Sequence, residues 1–172
     1  MSRTRTATLI HEGGMRFVAT TGTHRTIVFG DHPAKGELSP VETLAAALGA
    51  CSAMDVVSIL EKKRQVITSY RVEVEGNQRD EYPQVYTRID VTHVLEGTVL
   101  LEAAVRRAIH LSASKYCPVN AALSAGPTEV HHRFRMRCTG AAPHEAEGEV
   151  TVTGPERRTD IIPDPEPQPN SY

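Results

Sequence analysis

The chain has 172 residues, 40% apolar and 23% charged, an ordinary globular mix with length enough for one domain and a short appendage. Lys and Arg number 19 against 21 Asp and Glu, a net charge of −2, and aromatics make up 5% with no Trp. No basic excess is available to neutralise phosphates and no stacking platform for bases, so a nucleic-acid binder is not expected. Residues 1–8 are polar, without the apolar stretch of an export signal. The uncharged helical run Thr43–Met54 is too short to span a bilayer, so no membrane segment is expected. Three cysteines without such a signal point to a reducing, cytoplasmic setting, where any disulfide is transient and catalytic rather than structural.

In chain order, Arg5–His11, Met15–Thr20 and Thr26–Phe29 read as short strands punctuated by Gly13-Gly14 and Gly22. Gly30–Leu38 is a loop. Ser39-Pro40-Val41-Glu42 then carries a helix start: Ser39 as N-cap, Pro40 at the first position and Glu42 closing a capping box. From there to Arg64 only Gly49 interrupts, which predicts about 25 helical residues, roughly 38 Å. Leu44–Met54 is apolar or small on every face, and a helix apolar all round is buried all round. One small chain has too few strands to cover such a helix, so a homodimer is expected on packing grounds.

Tyr70–Glu75 and Val85–Leu95 alternate as strands, with Gly76–Pro83 as their turn. Leu101–Ser114 returns to helical spacing. Lys115–Cys117 turns into a short helix, Pro118–Ser124, and Glu129–Arg137 is a further strand. Past Cys138 the composition shifts, giving a domain over residues 1–138 and a C-terminal extension over 139–172. Within the extension Gly148–Thr153 is a candidate strand, and 160–172, which holds four of the eleven prolines, reads as disordered or as an arm against a partner.

Cys51 lies in the middle of the apolar helix, with Asp55 and Ser58 making its face partly polar. A buried polar residue needs a partner, which marks this face as a candidate site; the alternative is a small inert core thiol. Asp55, one turn away, opposes thiolate formation, so a reactive Cys51 requires a cation brought from elsewhere. Cys117 directly precedes Pro118 at a helix start, an N-cap-like position whose free N–H groups favour thiolate. Cys138 reads as a bystander. No CxxC pair occurs, and His131 and His132 fall on opposite faces of a strand, so no structural zinc site is expected.

The segment Ser39–Leu60 (SPVETLAAALGACSAMDVVSIL), followed 66 residues after Cys51 by Lys115-Tyr116-Cys117-Pro118-Val119, resembles the OsmC/Ohr family, with Cys51–Gln65 closest to its YhfA-like branch. The resemblance covers roughly residues 5–138. It implies an α+β fold, an intertwined homodimer in which long central helices are wrapped by antiparallel β-sheet. It also implies a thiol-dependent peroxidase without a metal or other cofactor, served by a hydroperoxide substrate and an external dithiol. By position Cys51 is the attacking thiol and Cys117 the resolving one, and Leu44, Leu48, Met54 and Asp55 border the substrate pocket.

The family's peroxidases pair an Arg with a Glu to activate the thiol, in a motif reading N-P-E-Q-L. Here the motif reads S-P-V-E-T-L, which leaves Glu42 open between a helix cap and a catalytic partner. Nine residues place Glu42 roughly 13 Å from Cys51 along the helix and on the opposite side, so only a second subunit's Glu42 could reach the thiol. Arg16 is the candidate cation and Arg25 the alternative. Two other readings stay open: a non-peroxidatic OsmC-like domain binding a small apolar or thiol-reactive ligand, and an interaction dimer whose tail recruits a partner.

Overall fold

Two glycine-bearing turns fold the N-terminal residues into a meander. In this computed structural model, which describes residues 4–159, β1 (Ala7–His11), β2 (Phe17–Thr21) and β3 (Thr26–Phe29) form an antiparallel three-stranded sheet in that order. Gly13 and Gly14 both take positive φ, 105° and 55°, between β1 and β2, a conformation that costs glycine little. β2 begins at Phe17, one residue past Arg16, which the sequence places inside the strand. A 3₁₀ turn at Pro33–Lys35 closes on Gly36, also at positive φ. This sheet belongs to a compact unit, Met1–Ala46, distinct from the unit Ala47–Tyr172.

The helix α1 (Pro40–Lys62) runs covalently from the first unit into the second. It starts where the Ser-Pro-Val-Glu signal puts it, with Thr43 donating both its N–H and its hydroxyl to the Ser39 carbonyl at 2.9 Å. It stops two residues before the predicted end, as Arg64 turns left-handed at φ 56°. Within its own chain the helix is not buried all round. Leu48, Ser52, Val56 and Leu60 form a fully buried stripe at i, i+4 spacing, with Gly49 buried beside it, whereas Leu44 is 41% and Met54 75% exposed. Gly49 permits a close approach to the sheet, since a Cβ there would sit 2.8 Å from Val74 Cγ2.

The second unit's sheet has the order β4 (Val66–Gln78), β5 (Tyr86–Val99), β6 (Glu129–Cys138), β7 (His144–Thr153), β8 (Arg158–Thr159). Its pairs are antiparallel except β5 and β6, which run parallel from Arg88 opposite Glu129 to Gly97 opposite Cys138. The expected antiparallel pairing therefore holds for every pair but this one. The reason is the connection: α2 (Glu102–Leu111), a π turn (Ser112–Tyr116) and α3 (Pro118–Leu123) lie between these strands, and a crossover of this length is what parallel pairing requires. The domain boundary expected after residue 138 lies inside this sheet, with β7 and β8 beyond it; the tail at 160–172 lies outside the described residues.

One face of the sheet carries the core, where Leu95, Phe134, Met136 and Val150 meet Val56 and Leu60 of α1 and Val105, Ala108 and Ile109 of α2. The other face is a ladder of ion pairs, with Arg135 on Glu73, Arg137 on Glu96, and Arg88 and Arg133 on Asp90. Phe134→Ala should cost about 3–5 kcal/mol through transfer and cavity terms. Urea unfolding should show this as a lower midpoint at unchanged slope. Tyr82→Ala, at a position 88% exposed, should stay within about 0.5 kcal/mol of the parent.

Candidate active site

Cys51 and Asp55 lie one turn apart on α1, and Cys117 caps the N-terminus of α3. The two sulfurs and an Asp55 carboxylate oxygen all lie within 4.8 Å of one another, although 66 residues separate the cysteines. The π turn accomplishes this. Its wide loop lets the Cys117 N–H donate to the Ser112 carbonyl, five residues back, at 2.9 Å. The chain then turns extended at Cys117 (φ −75°, ψ 103°), where Sγ accepts the Asn120 N–H at 3.3 Å.

Cys117 is 2% exposed, and its thiol is pushed up to about 12. Burial is the largest cause and the neighbouring Cys51 adds to it, against a downward pull from the Asn120 N–H. The cap position therefore exists as expected, but its effect on the thiol is outweighed, because the backbone N–H groups of Asn120 and Val119 do not offset the loss of water around an anion. Cys51 is half-buried and is the more accessible sulfur.

Behind Asp55 runs a chain of buried polar groups. Ser112 Oγ lies 3.0 Å from Asp55 Oδ2 and 3.3 Å from Ser52 Oγ, Ser52 Oγ lies 3.4 Å from His93 Nε2, and Tyr70 Oη lies 2.7 Å from His93 Nδ1. A carboxylate only accepts, so the single Ser112 proton is best used on Asp55, which leaves Ser52 to donate to Ser112. His93 then donates from Nε2 to Ser52 and accepts the Tyr70 hydroxyl at Nδ1. All four donors then point along one chain toward Asp55. Burial holds the Tyr70 hydroxyl well above its ordinary pKa, so it remains a donor.

A second cluster fixes the α3 end. Asn120 Nδ2 donates to the Ala113 carbonyl at 2.8 Å and to Thr153 Oγ1 at 3.1 Å, and its Oδ1 accepts from His132 Nε2 at 3.0 Å. His132 stacks on His93 with centroids 6.2 Å apart, and its Nδ1 is buried without a partner among the described residues. His131, on the opposite face as the alternation requires, instead bonds Glu149 and Glu129. Cys138 is buried in the core and donates to the Thr98 carbonyl at 3.7 Å.

The other sequence candidates fall elsewhere. In the first unit the Arg16 guanidinium pairs with Glu12 at 3.0 Å and Glu37 at 2.9 Å, and Glu37 also accepts the His32 N–H. The Arg16 hydrogen bond is the largest of the effects holding the Glu37 carboxyl below its ordinary pKa. Glu42 is exposed in the first turn of α1. Leu48 is enclosed in the core while Leu44 and Met54 are exposed, so these three do not share one environment. Asp55 borders a groove of about 360 Å³ that it lines with Ser58, Ile59, Lys62, Leu111 and Tyr116.

Sequence reasoning missed Ser52, Tyr70, His93, Ser112, Asn120 and His132. A signal existed for two of them. His93 breaks the inward series Ile89, Val91, Leu95 of β5, and His132 breaks the series Val130, Phe134, Met136 of β6. A polar residue in the apolar phase of a strand is a buried group that needs a partner.

Burial pushes His93 down to about 3 and His132 down to about 4, each aided by a neighbouring histidine. Above pH 6.5 both are neutral folded or unfolded, and their stability contribution is complete. As pH falls below 6.5 the unfolded chain takes up protons that the folded chain refuses. Stability is therefore lost downward toward pH 4, by at most about 1.4 kcal/mol per pH unit per histidine. Urea unfolding at pH 7 and pH 5 should differ by up to about 4 kcal/mol on this account, and equal midpoints would show that the pair is hydrated.

The family profile of OsmC-like protein matches residues 32–133. Protein YhfA of Escherichia coli (strain K12) is 38% identical over 106 residues, which cover 62% of this chain and 79% of that protein. The crystal structure of an OsmC-like protein from Mycoplasma pneumoniae covers 79% of this chain and 99% of its own at 14% identity, with a TM-score of 0.69. That of an organic hydroperoxide resistance protein OsmC from Legionella pneumophila covers 76% and 95% at 15% identity, with a TM-score of 0.56. These two show a shared fold. With the profile spanning more than half of its length, the chain belongs to the OsmC-like protein family.

Proposed function

We propose that the chain reduces organic hydroperoxides through Cys51 and Cys117, as a cytoplasmic defence against oxidation. The observation that carries this reading is the approach of two sequence-distant thiols to within 4.8 Å. The Cys51 thiol ionises and its thiolate attacks the distal peroxide oxygen; the O–O bond breaks, the alkoxide takes up the proton that the thiol released and leaves as an alcohol, and Cys51 becomes a sulfenic acid. The Cys117 thiol condenses with it, releasing water and forming a disulfide of about 2.05 Å. An external dithiol then reduces that bond by exchange, and its own sulfurs are oxidised. A buried thiol of high pKa suits the resolving role, because Cys117 is not asked to be the first nucleophile.

Family membership and the names of fold relatives such as the Legionella protein support this assignment. The groove beside Asp55, apolar at Ile59 and Leu111, suits an organic substituent on the peroxide. Arg16, the proposed activating cation, is held within its own unit by Glu12 and Glu37.

The proposed assembly is a homodimer. An 18-residue window of α1 has a mean hydropathy of 1.8 with 28% of it buried, enough by length and composition alone to cross a membrane. A second copy is the better cover, because Asp55 and Ser52 lie midway along the helix inside a polar network. Light scattering on the purified chain should give a particle of two chains without detergent.

The reduced protein should consume cumene hydroperoxide in the presence of dithiol. Cys51→Ser should fall to background, while Cys117→Ser should keep one fast turnover and then stall. Equal rates for the parent and Cys51→Ser would sink the assignment. Asp55 beside both sulfurs favours a second reading, a non-peroxidatic domain that binds a small apolar or thiol-reactive ligand. The pH dependence of Cys51 alkylation separates the two, since a pKa below about 8.5 supports catalysis.

A further inference from the structure

We propose that Cys51, Asp55 and Cys117 form a binding site for a thiophilic divalent cation of the zinc class. Two sulfurs and one carboxylate oxygen are donors that such an ion accepts together, and three protein ligands leave a fourth position for an exogenous one. Bonds of about 2.3 Å to sulfur and 2.0 Å to oxygen place tetrahedral ligands roughly 3.3–3.8 Å apart. The three donor atoms already lie within 4.8 Å of one another. Ligation closes a remaining gap of about an ångström.

The surroundings support each ligand. Ser112 bonds the Asp55 oxygen Oδ2 and is itself backed by Ser52, His93 and Tyr70, so the carboxylate is oriented from behind. The Asn120 N–H on Cys117 Sγ does the same for a thiolate. Two of the ligands stand at i, i+4 on one helix face, and Asp55 borders an open groove that gives an ion a way in. The spacing argument against zinc missed this trio because it weighs ligands close in the chain, and the third arrives through the crossover between β5 and β6. Binding is balanced by proton release: one ion enters, two S–H protons leave to solvent, and Asp55 binds as the carboxylate.

Cobalt(II) titration of the phosphine-reduced chain under anaerobic conditions tests the site. One ion per chain is expected, with a sulfur-to-cobalt charge-transfer band, the visible bands of four-coordinate cobalt, about two protons released, and displacement by zinc. Cys51→Ser and Cys117→Ser should each remove roughly half of the charge-transfer intensity, and Cys138→Ser none. Ser112→Ala, which keeps all three ligands, should weaken binding roughly 10–100-fold. No band in the folded parent, or one that survives both Cys51→Ser and Cys117→Ser, overturns the proposal. If those two chains fail to fold by circular dichroism, Ser112→Ala decides, and undiminished affinity overturns it. The peroxidase reading is judged separately: peroxide turnover without a cobalt band removes only the metal site, and a cobalt band without turnover removes only the peroxidase.

Discussion

The chemistry of this protein depends on one small hydroxyl in the wrong company. Ser52 occupies the stripe Leu48, Ser52, Val56, Leu60 by which α1 packs into its unit, and at that position it is shut away from water. A buried hydroxyl must find partners or cost stability. Its partners, Ser112 and His93, come from the crossover and from the sheet. Ser112 then holds Asp55, and the same residue's carbonyl takes the N–H of Cys117. Packing one polar atom thus ties three separate parts of the chain to the place where the sulfurs meet.

That arrangement sets two electrostatic demands against each other. Aligned donors reach Asp55 from behind, while burial, with Cys51 beside it, disfavours a charged sulfur at Cys117. The tension falls unequally on the two cysteines. Cys117 is enclosed and held as a thiol; Cys51 is half-buried, one helical turn from Asp55, which borders the groove. This asymmetry suits the proposed division of labour between an attacking and a resolving sulfur.

Much of this was legible from residues alone. Ser39-Pro40-Val41-Glu42 marks the start of α1, and Pro118 marks Cys117 as a cap, because both depend on local backbone chemistry. Family resemblance pairs Cys51 with Cys117. The parallel register of β5 and β6 was not legible, since strand pairing is decided by where the connection returns and not by the alternation within either strand. The π turn carries no periodic signature over five residues, so Ser112 escaped notice. Arg16 was singled out but its partner Glu37 was not, because Pro33–Lys35 and Gly36 bend the loop in a way that no spacing rule announces.

The crossover has a consequence for how the protein is made. On the ribosome Cys51 is synthesised 66 residues before Cys117, and the strand that anchors the far end of the crossover, β6, comes later still. Non-local parallel pairing is slow to form, as its loop-closure entropy precedes its reward. During that interval a nascent Cys51 has no partner cysteine at hand and only β4 and β5 of its sheet. The paired thiols are therefore a mark of completed folding, and a chain that stalls before β6 docks exposes a lone cysteine on an apolar helix, the form most open to mixed disulfides and capture by chaperones.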